Sequence, residues 1–132
     1  MKTVAYLSSY KTFKRDFFNE LEEQKINIEN YAFQYDIQIE RFFAEDFDSN
    51  DTSKPILLGM IHDYYDSIKL IIVQNQNSIS RNEDFRYWIL DELKRLDIDI
   101  VFLDNSDIKI QNKNILQKTI EIKNKIKEIS NI

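Results

Sequence analysis

The chain has no cysteine, one glycine, one proline and one histidine in 132 residues. Without cysteine there is no disulfide framework and no thiolate nucleophile. One histidine leaves too few ligands for a self-contained zinc site. The sole glycine, Gly59, falls within a helical pattern, so there is neither a G-x-G-x-x-G turn nor a P-loop. Both motifs need glycine where backbone amides approach phosphate. No apolar run approaches the roughly 18 residues of a membrane span. The opening MKTVAYLSSY lacks the long apolar core of a signal peptide. These absences predict a cytoplasmic protein with no cofactor, no metal and no membrane contact. Net charge is -5, so the surface as a whole does not attract polyanions, which leaves only a local basic patch for nucleic acid.

Apolar residues make up 42% of the chain, enough to bury a core, and the length is that of one domain spanning residues 1–132. The most informative stretch runs from Ile68 to Asn82. Ile68, Leu70, Ile71, Ile72 and Val73 form a short, β-branched run that reads as a strand buried on both faces. Polar residues from Gln74 to Asn82 follow it. They would occupy the carboxyl end of the strand, where open α/β sheets bind ligands.

The rest of the chain alternates around that strand. Thr3 to Leu7 reads as a central strand and Ser8 to Thr12 as a turn. Phe13 to about Tyr35 reads as a helix with Phe17, Phe18, Leu21, Ile28, Tyr31, Ala32 and Tyr35 recurring at helical spacing. Ile37 to Phe43 alternates, with Ile37 and Ile39 set against Gln38 and Glu40, and its strand is placed over Ile37 to Arg41. Asp46 to Lys54 reads as a solvated acidic loop that lacks the glycine turn and terminal Glu of a calcium-binding loop. Pro55 suits the first turn of a helix reaching about Asp66, with Leu57, Leu58, Ile61 and Tyr65 inward. A helix from Asn82 or Glu83 carries Phe85, Trp88, Ile89, Leu93 and Leu96 on one face, and Ile98 to Leu103 follows as a strand. Asp104 to Asn114 is a polar connection, with or without a short edge strand at Ile108 to Ile110. The last helix, about 115–130, carries Ile115, Leu116, Ile122, Ile126 and Ile129 on a stripe. Such alternation implies βαβ units: an α/β domain with a mostly parallel sheet of four to five strands and helices on both faces.

Several segments in order resemble the catalytic domain of the serine recombinases, the resolvase/invertase family. Tyr6-Leu7-Ser8-Ser9-Tyr10 lies where that family has Y-x-R-x-S. Leu21-Glu22-Glu23-Gln24 and the later Tyr31-Ala32 resemble its S-L-E-x-Q and Y-A segments on the first helix. Lys54-Pro55 falls where the family has Arg-Pro after a mobile loop. Val73 to Asn82 resembles V-x-K-L-D-R-L-S-R-N, and Asn82 to Leu103 fits the helix and strand that follow. The resemblance implies a three-layer α/β/α fold with strand order 2-1-3-4, an antiparallel edge strand being optional. It also implies association with itself or a related recombinase subunit through the C-terminal helix.

The chemistry that the resemblance implies is attack of a serine hydroxyl on a DNA phosphodiester, with arginines stabilising the pentacoordinate phosphate. Carried over residue by residue, the nucleophile falls on Tyr10 and the arginine before it on Ser8. The arginine after the mobile loop falls on Lys54, which keeps charge but loses the planar fork. The Asp and Arg of L-D-R fall on Asn77 and Ser78, and only the last arginine, Arg81, is retained. A one-residue slip would offer Ser9 as the nucleophile. The distance from Tyr10 to Gln24 supports the first register. Arg81 could equally serve as a surface ion-pair partner, and His62, Phe42-Phe43 and Tyr64-Tyr65 read as packed or solvated side chains. The expectation is a degenerate site (Ser9, Tyr10 and Arg81, with Ser8, Lys54, Asn77 and Ser78 at family positions) in an accessory subunit of mobile-element recombination, binding DNA weakly if at all. The alternatives are an active recombinase using Ser9 or Tyr10 and, ranked last, a flavodoxin-like small-molecule binder.

Overall fold

The computed structural model describes residues 2–104. The elements run β1 (Thr3–Leu7), α1 (Lys14–Gln34), β2 (Arg41–Ala44), α2 (Pro55–Tyr64), β3 (Leu70–Val73), α3 (Gln76–Ile79), α4 (Glu83–Arg95) and β4 (Asp99–Phe102). The four strands form one parallel sheet in the order β2-β1-β3-β4. The edge strand at Ile108 to Ile110 and the helix about 115–130 lie outside the described residues.

Alternation along the central strands divides the core in two. Val4 and Tyr6 of β1, Ile71 and Val73 of β3, and Ile100 and Phe102 of β4 pack with Leu57 and Met60 of α2 and Ile89, Leu90 and Leu93 of α4. Ala5, Leu7, Leu70, Ile72 and Val101 point the other way, onto Phe17, Leu21 and Ile28 of α1. All four β3 residues are buried, as a strand covered by helices on both faces requires. Each fully buried aliphatic side chain contributes roughly 1.5–3 kcal/mol, so this strand is the centre of gravity of the fold.

Two expectations need correction. Pairing in the second strand starts at Arg41, not Ile37. The chain first has to leave α1: Asp36 takes a left-handed φ of 54°, and the Ile37 N–H bonds back to the Ala32 carbonyl. Ile37 and Ile39 then cover part of the α1-side core as a loop, which is why they alternate without pairing. Second, Phe18, Tyr65 and Trp88 are about half exposed rather than inward. Trp88 and Tyr65 instead rim an apolar groove of about 490 Å³ between α2 and α4. The polar stretch after β3 contains a short helix and ends on the cap of the next one. Asn75 caps the short helix α3 by accepting from the Ser78 N–H at 3.0 Å, and Asn82 caps α4 through the Phe85 N–H at 2.9 Å.

Candidate functional site

β1 and β3 are neighbours, so the segments leaving their carboxyl ends, Ser8–Tyr10 and Gln74–Arg81, emerge side by side. The loop 46–54 approaches the same edge. Ser8 is held at both backbone groups by Gln24 of α1: Nε2 donates to the Ser8 carbonyl at 2.7 Å, and the Ser8 N–H donates to Oε1 at 3.3 Å. Gln24 is buried, so this polar pair closes the otherwise apolar α1 face. The Ser8 hydroxyl accepts from Lys54 Nζ at 2.7 Å. Both side chains are enclosed, Ser8 at 2% and Lys54 at 1% exposure. Burial pushes the Lys54 ammonium down to about 8, while Glu45 and Asp51 pull it back up.

Tyr10 sits in the middle of this edge. Its hydroxyl donates to the Asn77 carbonyl at 2.6 Å. Two cations lie over its ring, Arg81 Cζ at 3.9 Å and Lys54 Nζ at 4.5 Å from the centroid. Burial raises the phenol above its usual value, the neighbouring Asp51 carboxylate raises it further, and Arg81 opposes both. The Ser9 hydroxyl accepts from the Lys11 N–H at 3.2 Å, a local turn contact. Ser78 turns inward onto the Asn75 cap, away from the recess. The Asn77 side chain is exposed; only its main chain joins the cluster.

Two residues that decide the electrostatics carry no local pattern in the sequence. Glu45, just after β2, is buried and accepts four hydrogen bonds. Oε1 takes the Tyr6 hydroxyl at 2.7 Å and the Leu57 N–H at 3.0 Å. Oε2 takes the Ile56 N–H and the Ser49 hydroxyl, each at 3.0 Å. Glu45 therefore caps α2 from a distance, because the residue before that helix, Lys54, has a left-handed φ of 36° and makes no side-chain cap. The second is Asp51, whose placement in a solvated loop also needs correction. Its Oδ2 meets Arg81 Nε at 3.1 Å and Nη2 at 3.0 Å, and its Oδ1 meets the Arg81 N–H at 3.2 Å. Partial burial would raise the Asp51 carboxyl, but the hydrogen bonds and charge of Arg81 outweigh this and hold it below its usual value. Among the described residues no cluster of three or more His, Cys, Asp or Glu could hold a metal ion, and no helix is long and apolar enough to cross a membrane.

A family model described as the N-terminal domain of resolvase matches residues 8–130. The chain belongs to the resolvase family. Several solved structures share this resolvase fold. The N-terminal catalytic domain of TP901-1 integrase is 18% identical, with 98% of this chain and 99% of that one covered at a TM-score of 0.69. A resolvase family site-specific recombinase from Streptococcus pneumoniae is 16% identical over 99% of this chain and 93% of its own, at 0.66. The C-terminal catalytic domain of ISC1926 TnpA, an IS607-like serine recombinase, is 17% identical over 92% and 80%, at 0.62. No curated protein matches the chain significantly. At such identities the shared property is the fold, and the resolvase site of this chain rests on its own geometry.

Proposed function

We propose that this resolvase domain is a catalytically inert member of its family that serves site-specific recombination of a mobile element as an interaction subunit. The observation that carries this is the occupation of the site by its own side chains. Tyr10 stands at the family's nucleophile position with its hydroxyl already donated to Asn77. The two cations beside it are engaged as well, Lys54 with Ser8 and Arg81 with Asp51. Two cations and two carboxylates, Glu45 and Asp51, leave this edge near neutral. Transfer of a phosphoryl group needs the reverse, a preorganised excess of positive charge, each positioned donor being worth roughly 10²–10³ in rate. A phenol raised above its usual value near 10 is also a poor nucleophile at neutral pH.

Association would run through the helix about 115–130, with a second copy or a related recombinase as partner. Its stripe Ile115, Leu116, Ile122, Ile126 and Ile129 is the sequence feature behind that assignment. Contact with DNA would be weak and would fall steeply with salt. The setting would be the cytoplasm.

The decisive test is incubation with supercoiled plasmid carrying candidate recombination sites, followed by denaturing electrophoresis. No covalent protein–DNA adduct is expected. One specific observation favours the rival reading of an active recombinase using Ser9 or Tyr10: both Arg81 and Lys54 lie against Tyr10. An adduct that disappears in Tyr10→Phe, Ser9→Ala or Ser8→Ala would establish that reading instead.

A further inference from the structure

The loop 46–54 is shut at its tip by a contact of the kind a bound anion makes. Arg81 aims two guanidinium nitrogens and its own N–H at the Asp51 carboxylate, at 3.0 to 3.2 Å. The Ser80 hydroxyl adds a 2.6 Å bond to the Asp51 carbonyl. Convergent main-chain and guanidinium donors on one two-oxygen anion form the arrangement that also recognises phosphate. The contact closes a solvent-open recess of about 340 Å³, lined by Ser9, Tyr10, Lys11, Asn50, Asp51 and Arg81 among others. A water's share of liquid volume is about 30 Å³, so the recess can admit a single phosphate group.

The loop is built to move as a strap anchored at both ends, with Lys54 buried on Ser8 at the far one, and more weakly held at its tip. At the near end, Ser49 bonds to the buried Glu45 and Phe47 packs edge-on to Phe17. At the tip, Asn50 Oδ1 accepts from the Thr52 and Ser53 N–H groups at 3.0 and 2.8 Å, so the turn carrying Asp51 keeps its shape without help from Arg81. What joins the tip to the rest of the domain is the Ser80 bond, the Arg81 N–H and the Tyr10 phenol on the Asp51 carboxylate, and an ion pair whose arginine is more than half exposed. Pairs of that exposure are weak and yield to salt. Withdrawing Asp51 would leave Arg81 uncompensated beside Tyr10, with Lys11 at the rim of the recess.

We propose that Asp51 is an internal occupant of a latent oxyanion site at Arg81, and that the strap 46–54 gates this site by inserting or withdrawing the carboxylate. The ligand is a single phosphate group, carried by a phosphodiester or free in solution. The inference rests on the assignment of this sheet edge as the resolvase-family site, and it adds a mode of regulation that the degenerate residues alone do not supply.

The test is a titration of the protein, Asp51→Asn and Asp51→Asn/Arg81→Gln, followed by the NMR signal of the Asn82 amide in all three and of the Arg81 Nε in the two that keep the arginine. Two titrants are used, inorganic phosphate and a dinucleotide with one internal phosphodiester; the tighter of the two identifies the source. Asp51→Asn should bind at least tenfold more tightly than the unaltered protein, and the double variant should lose that gain. Equal affinity in Asp51→Asn and the unaltered protein, or a gain that survives the loss of Arg81, would overturn the gate. The unaltered protein supplies a readout that needs no variant: saturating phosphate should shift the amide signals of residues 50–53, and an unchanged strap in the presence of bound phosphate would equally overturn it. Equilibrium binding is read here and covalent linkage in the plasmid assay, so failure of the gate and failure of the inert reading are told apart.

Discussion

Glu45 and Asp51 stand six positions apart on one loop, and their carboxylates do opposite work. Glu45 is buried and meets four donors, one from β1, one from the loop and two from the first turn of α2. Asp51 is partly exposed and meets one arginine and the Tyr10 phenol. The first ties three elements together where no water can substitute. The second closes a recess where water or an anion can. The same chemical group is therefore architectural at the base of the strap and releasable at its tip, and the difference is set by desolvation.

The largest test of that contrast is Glu45→Ala. It would strand the Tyr6 hydroxyl and the Leu57 N–H in the interior. With each unsatisfied buried donor costing about 1–3 kcal/mol, a loss of about 3–5 kcal/mol is expected in urea unfolding. Glu45→Gln, which keeps acceptor capacity, should lose less than half as much.

Lys54 gives a sharper, pH-dependent measure of the same burial. Its folded value of about 8 lies below the usual 10.5, so the unfolded chain holds more protons between those values. Stability therefore rises with pH across that window, and the full cost of the buried ammonium is present below about pH 8. Tyr6 and Tyr10, whose phenols are raised in the folded state by burial and then by the carboxylates Glu45 and Asp51 respectively, act in the opposite sense above pH 10. The difference between unaltered protein and Lys54→Met isolates the lysine. That difference should change by up to about 3 kcal/mol between pH 7 and 10.5, and a flat difference would contradict the assignment.

Tyr6→Phe removes one of the four bonds to Glu45 and should cost about 1 kcal/mol. Asp51→Asn should be the smallest, within about 0.5 kcal/mol of the parent at neutral pH. The Asp51 contribution is present above the usual carboxylate value and fades as pH falls through its lowered folded value. The two proteins should therefore converge in acid. A large neutral-pH loss in Asp51→Asn would make both base and tip of the strap architectural.

The parts of this molecule legible in the sequence are those that depend on near neighbours in the chain. β1 and β3 are readable because strands covered on both faces need unbroken apolar runs. The buried stripe of α1 is readable from helical spacing. The strand order came from the family resemblance, since periodicity carries no order. Glu45 and Asp51 were not legible: their partners Tyr6 and Arg81 lie 39 and 30 residues away. The outward turn of Trp88 and Phe18 was hidden for another reason, since aromatic residues bordering an apolar stripe satisfy the same spacing as those within it. The positions Ser8, Tyr10, Lys54, Asn77 and Arg81 could be placed together from the family pattern, but their mutual engagement could not.

β1 lies inside the sheet, yet it is made before either strand that pairs with it. Val4 awaits Arg41 and Thr3 awaits Leu70. During synthesis, a segment whose residues from Val4 onward are buried in the finished domain can pair along one edge once β2 is made, but its other edge stays open until β3 arrives, past the midpoint of the described chain. Only α1, which follows at once and packs Phe17 and Leu21 onto Ala5 and Leu7, can shield it early, and it covers just one face. The other face, Val4 and Tyr6, stays open until α2 and β3 arrive. Emergence of Leu70–Val73 from the ribosome is thus the event that commits the nascent chain, and a pause before it would prolong the interval in which β1 is open to aggregation or chaperone capture.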